Sequence, residues 1–144
     1  MSTASEIDDI IDTFDLLGDW DQRYEYLVEL GERLPSMDPA HKVDANRVME
    51  CMSTVHVVPE PLDGGPQLKF QGDCDTAIIK GVVALLVQLF SGKTAAEIEA
   101  TDVDALFEGL KLEEHLSPNR HVGVYAIVNK MKGQAGAYRV AGNE

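Results

Sequence analysis

Apolar residues recur at helical spacing from the beginning of the chain. Ile7, Ile10, Ile11, Phe14 and Leu17 share one face and predict an amphipathic helix that ends near Gly18. Asp19 then caps a second helix, with Gln22 placed to close a capping box. Its apolar face is Trp20, Tyr24, Leu27 and Leu30, and Gly31 and Pro35 stop it. The polar stretch 35–46 reads as a loop. Beyond it the period changes: residues 54–58 and 68–70 read as two strands of a hairpin, joined by a long loop over 59–66 that holds Asp63, Gly64 and Gly65. The run from Ala77 to Phe90 is apolar on nearly every side, broken only by Lys80, Gly81 and Gln88. A membrane span needs about 20 apolar residues, so this shorter run predicts a buried core helix. Asp73 or Asp75 can cap it, and Gly92 ends it. Thr94 with Glu97 predicts a capping box for a short helix, and 103–109 predicts another. Ser117 and Pro118 start a last helix whose face is Val124, Ile127, Val128, Met131 and Ala135, with Lys130 and Lys132 near its C-terminal end. Two helices, a hairpin and several more helices predict a small α+β fold with an antiparallel sheet, and the length of 144 residues predicts one domain over 1–144.

Composition narrows the function. There are 25 acidic residues against 12 Lys and Arg, a formal charge of −13. A nucleic-acid binder needs a basic surface, and an anionic membrane repels this chain for the same reason, so neither is an expected partner. The hydrophobic content of 44% is enough for a packed core and argues against disorder. Two cysteines suit a reducing compartment better than a disulfide scaffold, and the first residues lack a basic and an apolar signal region. The expectation is a cytoplasmic chain.

Few motifs carry chemistry. Residues 91–94, Ser-Gly-Lys-Thr, match the end of a phosphate-binding loop, but Val87 stands where that motif needs its first glycine, and a helix precedes the tetrapeptide instead of a strand. His41, His56, His115 and His121 are scattered without metal-ligand spacing. Cys51 is more informative. It lies where the loop meets the first strand, between polar neighbours. A free cysteine is most often a small buried hydrophobe. At such a junction it can also expose its sulfur, with Arg47 favouring the thiolate and Glu50 opposing it.

The segment Asn46-Arg47-Val48, Cys51, Ser53, Val55 resembles the cysteine segment of the SufE/CsdE sulfur-acceptor proteins. The resemblance continues in order from about Ile10 to Ala137: Trp20 with Arg23-Tyr24, Leu30-Gly31 with Leu34-Pro35, residues 70–75, 77–81, 91–94, 115–120, and Gly123. It implies a small antiparallel sheet packed by helices, the fold shared with iron–sulfur scaffold proteins. It also implies a sulfur relay. A pyridoxal-phosphate cysteine desulfurase of the SufS/CsdA type carries sulfur as a persulfide, and the thiolate of the docked SufE-like partner attacks the terminal sulfur. The sulfur then goes to an iron–sulfur scaffold or another acceptor. Cys51 occupies the acceptor position, no cofactor of its own is implied, and the pyridoxal phosphate belongs to the partner.

The chain departs from the family pattern at four places. Glu50 stands where glycine is usual, Met52 for glutamine, His56 for tryptophan, and Cys74 for the serine of an Asp-Ser-Asp triplet. Glu50 restricts the backbone before the cysteine and discourages a thiolate. If the triplet caps the buried helix, Cys74 sits at a helix N-terminus, which favours its thiolate, while Asp73 and Asp75 push the other way. Cys74 is then either a swap without a role or a neighbour able to resolve the Cys51 persulfide. Arg120 either completes a helix start or orders the acceptor loop and helps dock the partner. Asp73 and Asp75 are caps first and contact residues second. Two alternatives stand beside the sulfur carrier: an iron–sulfur scaffold, disfavoured by having two cysteines where clusters need about four ligands, and a plain interaction module.

Overall fold

A computed structural model describes residues 3–140 of the chain. Helices α1 (Thr3–Leu16) and α2 (Trp20–Glu32) come first, and Asp19 caps α2 by accepting from the Gln22 amide at 3.0 Å. The stretch read as a loop holds two 3-10 turns, Pro39–His41 and Asp44–Asn46. Strands β1 (Val55–Pro61) and β2 (Gln67–Cys74) pair antiparallel, and a two-residue β3 (Lys93–Thr94) joins the far edge of β2.

The hairpin is longer than its apolar pattern, because β1 runs through Pro59 and Pro61. Proline is tolerated in a strand only where no ladder hydrogen bond needs its amide. The register sets Pro59 opposite Phe70 and Pro61 opposite Leu68. These are the non-hydrogen-bonded pairs, so both prolines face the outer edge of β1. That edge is covered in turn: the Val48 amide donates to the Val55 carbonyl at 2.9 Å, Gln134 Nε2 to Val57 at 2.8 Å, and the Tyr138 hydroxyl to Pro59 at 3.3 Å.

The buried run forms α3 (Ala77–Phe90), whose N-cap is Thr76 rather than either aspartate. A complete Thr94–Glu97 capping box then starts α4 (Ala95–Glu99). Helix α5 (Val103–Leu110) leads through Lys111, at φ 58°, into the short α6 (Leu112–His115), which the apolar pattern does not resolve. Ser117 Oγ accepts from the Arg120 amide at the start of α7 (Pro118–Val140). Because α7 runs to Val140, Lys130 and Lys132 lie in its middle, not at its end. Lys132 instead donates to the Glu99 and Thr101 carbonyls just beyond α4, at 3.3 and 2.8 Å. The predicted faces of α1, α3 and α7 all reach one core, with Phe14, Leu86, Phe90, Val124, Ile127 and Met131 almost wholly buried.

Helices α2 and α3 touch backbone to backbone. A Cβ on Gly81 would lie 2.2 Å from the Leu27 carbonyl oxygen, and one on Gly31 would lie 3.0 Å from the Gly81 nitrogen. Gly81→Ala is expected to destabilise the fold by about 2 kcal/mol, since overpacking of about 3 kcal/mol outweighs the gain of about 1 kcal/mol in helix propensity. Chemical denaturation checks this; an unchanged midpoint would contradict the close approach.

Candidate functional site

Cys51 sits on a turn between the second 3-10 turn and β1. The Val48–Val55 hydrogen bond closes the base of that turn, and the Cys51 amide donates to the Val48 carbonyl at 3.3 Å. The far side is pinned to the end of β2. The Thr54 amide donates to Asp75 Oδ1 at 3.0 Å, the Asp75 amide donates back to Thr54, and the Ser53 and Thr76 hydroxyls lie 2.7 Å apart. The thiol is turned inward, with Cys51 only 7% exposed, while its neighbours Met49 and Met52 are 64% and 82% exposed. The turn therefore carries its two apolar side chains outward and its sulfur inward.

The sulfur rests on α7. A Cβ at Gly123 would come within 2.8 Å of Cys51 Sγ, so the glycine forms the seat of the thiol. Above it a cavity of about 380 Å³ is lined by Cys51, Ser53, Asp75, Thr76, Ser117 and Arg120, with Met52, Ile79 and Asn119 completing the wall. The first turn of the 23-residue α7 and Arg120 bring positive charge to the cavity, and Asp75 brings negative charge.

The other candidate residues lie outside this cavity. Cys74 is the last residue of β2, buried at 6% exposure, and both cysteines are free thiols. One amide of the α3 N-terminus does reach it, from Thr76 to Sγ at 3.4 Å. Burial is the larger effect and, with the charges of Asp75, Cys51 and Asp73, pushes the Cys74 thiol up to about 11. The pull of the helix N-terminus toward a Cys74 thiolate is therefore outweighed, by burial first and then by the neighbouring charges. Asp73 caps nothing either. Burial raises its pKa, but the hydrogen bond and charge of Lys42 at 2.9 Å and the charge of Lys80 at 3.5 Å prevail, and its carboxyl stays below the usual range. Asp75 braces the Cys51 turn instead of capping α3. Arg47 forms an isolated bridge with His56 on β1, and its buried Nε has no hydrogen-bond partner among the described residues.

A family model described as the Fe-S metabolism associated domain, SufE, matches residues 8–135. The chain belongs to the SufE family. Two uncharacterized SufE-like proteins are similar over most of its length. One, from Rhizobium meliloti (strain 1021), is 37% identical over 133 residues, covering 91% of this chain and 95% of the relative. The other, from Rhizobium etli, is 37% identical over 134 residues, covering 91% and 90%. The fold resembles the solution structure of a hypothetical protein from Thermus thermophilus, with a TM-score of 0.75, 19% identity, and coverage of 94% and 96%. Membership in the SufE family connects the chain to iron–sulfur metabolism. No helix among the described residues is long and apolar enough to cross a membrane.

Within this SufE domain, three of the singled-out residues come together: Cys51, Asp75 and Arg120 line one cavity. Asp73, Arg47 and Cys74 do not line it. Sequence reasoning missed the seat at Gly123 and the brace between Ser53 and Thr76. The spacing held a signal for the first, because residues three apart lie on one helix face and place Gly123 beneath Arg120.

Proposed function

We propose that this SufE-family protein is a sulfur acceptor and carrier, which takes sulfane sulfur from a pyridoxal-phosphate cysteine desulfurase onto Cys51. The observation that carries the reading is the tethered turn: a buried thiol beside the Arg120 end of α7, with Met49 and Met52 outermost. The Cys51 thiolate attacks the terminal sulfur of the partner's persulfide, a sulfur–sulfur bond forms on Cys51, and the partner's sulfur–sulfur bond breaks to leave its thiolate. Electrons balance without an oxidant, since a sulfane sulfur moves between two thiols. The inward sulfur must swing outward for this step. The tethers that oppose it are few and lie at the ends of the turn, so docking on the two methionines can release it. The protein itself supplies a nucleophile and a place to shelter the loaded sulfur. The cofactor chemistry belongs to the desulfurase, and the cargo passes on to iron–sulfur assembly or another acceptor.

The net charge of −13 favours a partner with a basic face. Added to a cysteine desulfurase of the SufS type, the protein is expected to raise cysteine turnover saturably. The half-saturating concentration should rise as salt is increased from about 50 to 300 mM, as screening shortens the reach of surface charge. Turnover that stays at its basal rate at every protein concentration would overturn the proposal.

A further inference from the structure

Five large apolar side chains stand exposed among the described residues: Leu16, Val43, Met49, Met52 and Val122. Two of them carry a sulfur that an oxidant reaches from solvent, and both belong to the Cys51 turn. The chain has five methionines. Met37 and Met131 are buried, at 4% and 0% exposure, and Met1 lies outside the described residues. Met49 and Met52 therefore differ from Met37 and Met131 in access, not in chemistry.

Both cysteines are more sheltered than these two thioethers. Cys51 and Cys74 are buried free thiols. Oxidation of a thiol needs thiolate character and access together. Cys51 lacks the access while its sulfur rests on Gly123. Cys74 lacks both, since burial first and then nearby charges push its thiol up to about 11. Access then sets the order of oxidation, and the methionines come first.

We propose that Met49 and Met52 are the sites at which hydrogen peroxide first modifies this protein, and that their sulfoxides disengage the Cys51 turn from the desulfurase. The lone pair of the methionine Sδ attacks one peroxide oxygen, so a sulfur–oxygen bond forms and the oxygen–oxygen bond breaks. The displaced hydroxide takes the proton of the transferred oxygen and leaves as water. The thioether is oxidised by two electrons and the peroxide is reduced by two, so no further reactant is needed. Each sulfoxide turns a flexible apolar side chain into a polar one. The sulfur-acceptor reading assigns these side chains to docking, and the second half of the inference rests on that reading. Met52 also lines the Cys51 cavity, so the change falls on the rim of the sulfur site. A sulfoxide is reversible by reductases, whereas the higher oxidation states of a cysteine are in general not. Sulfur transfer thus stops at a stage from which it recovers, before Cys51 is lost.

The test treats the full chain with increasing hydrogen peroxide, removes the excess with catalase, and maps products by peptide mass analysis after alkylation of free thiols. An added mass of about 16 Da is expected at Met49 and Met52 about tenfold faster than at Met37 and Met131, with Cys51 and Cys74 still alkylated. In denaturant, where the shelter is gone, the same methionines should oxidise at rates within about twofold of one another. The oxidised protein should need about tenfold or more of its former concentration to half-saturate a SufS-type desulfurase. Stereospecific sulfoxide reductases with dithiothreitol should restore the former value. In the Met49→Leu, Met52→Leu double variant, the same peroxide dose should leave half-saturation where it stood before treatment. Four results would overturn the proposal: oxidation of either cysteine ahead of the two methionines, Met49 and Met52 no faster than Met37 and Met131, unaltered half-saturation in the oxidised protein, or an equal loss in the double variant. The mass analysis needs no desulfurase and decides the modification sites by itself. Untreated protein that never stimulates the enzyme would overturn the sulfur-acceptor reading, and the docking half of the proposal with it.

Discussion

Replacing Cys51 by serine is expected to remove all stimulation of a cysteine desulfurase, leaving the enzyme at its basal rate. The substitution nearly preserves volume, and the site is a turn held by backbone bonds at Val48 and Val55 that do not involve the thiol. The fold should therefore survive with a change on the order of 1 kcal/mol. A hydroxyl is protonated throughout the neutral range and is a poor nucleophile toward a sulfane sulfur, so the chemistry is lost while docking remains. Serine at Cys51 should consequently compete with the wild-type protein for the desulfurase. Stimulation by Cys51→Ser equal to wild type would show that the chain acts by binding alone.

The second large effect concerns the seat of the sulfur. Alanine at Gly123 would place its Cβ 2.8 Å from Cys51 Sγ and 3.6 Å from Cys51 Cβ, inside the distance that a sulfur and a carbon tolerate. The helix interior is fixed by Val124, Ile127 and Val128, all buried, whereas Cys51 stands on a turn with exposed residues on both sides. The turn therefore yields and the helix does not. The thiol should move outward, and its reaction with a neutral disulfide reagent should accelerate about tenfold or more, because a sheltered sulfur reacts only when its site opens. Helix α7 itself gains propensity from alanine, so overall stability should change by about 1 kcal/mol or less. A thiol no faster than wild type in Gly123→Ala would mean that the glycine is not the seat.

Local chemistry makes much of this fold readable from the residues alone. Asp19, Thr94 and Ser117 start their helices as expected, because a cap is settled by the few residues around it. The apolar run at 77–90 places the core for a similar reason: its surroundings must be apolar wherever they come from. Tertiary partners are harder to foresee. Pro59 and Pro61 read as loop residues in isolation and become strand residues only through the register with Phe70 and Leu68. Asp73 and Asp75 look like caps in the sequence, but Lys42 and Lys80 hold one and the Thr54 amide holds the other. Those partners lie up to 31 residues away, counting from Lys42 to Asp73.

The site divides along the same line. Cys51 and Arg120 stand out within an ordered set of short motifs, and the structure gathers both at one cavity with Asp75. Cys74 misleads because a place before a helix suggests an electropositive end, while burial inside the core sets the opposite direction. Arg47 pairs its backbone with β1 instead of approaching the cavity. Burial and strand pairing depend on the whole chain, and neither is written in a short window of neighbouring residues.

A carrier role stands or falls on where the sulfur goes. Incubation of the full chain with a pyridoxal-phosphate cysteine desulfurase and cysteine, followed by alkylation and peptide mass analysis, reads this out. The expected result is an added mass of about 32 Da on the peptide containing Cys51, absent without the desulfurase, with Cys74 unmodified. Sulfur found on Cys74 alone, or on neither cysteine while the desulfurase turns over, would contradict Cys51 as the acceptor.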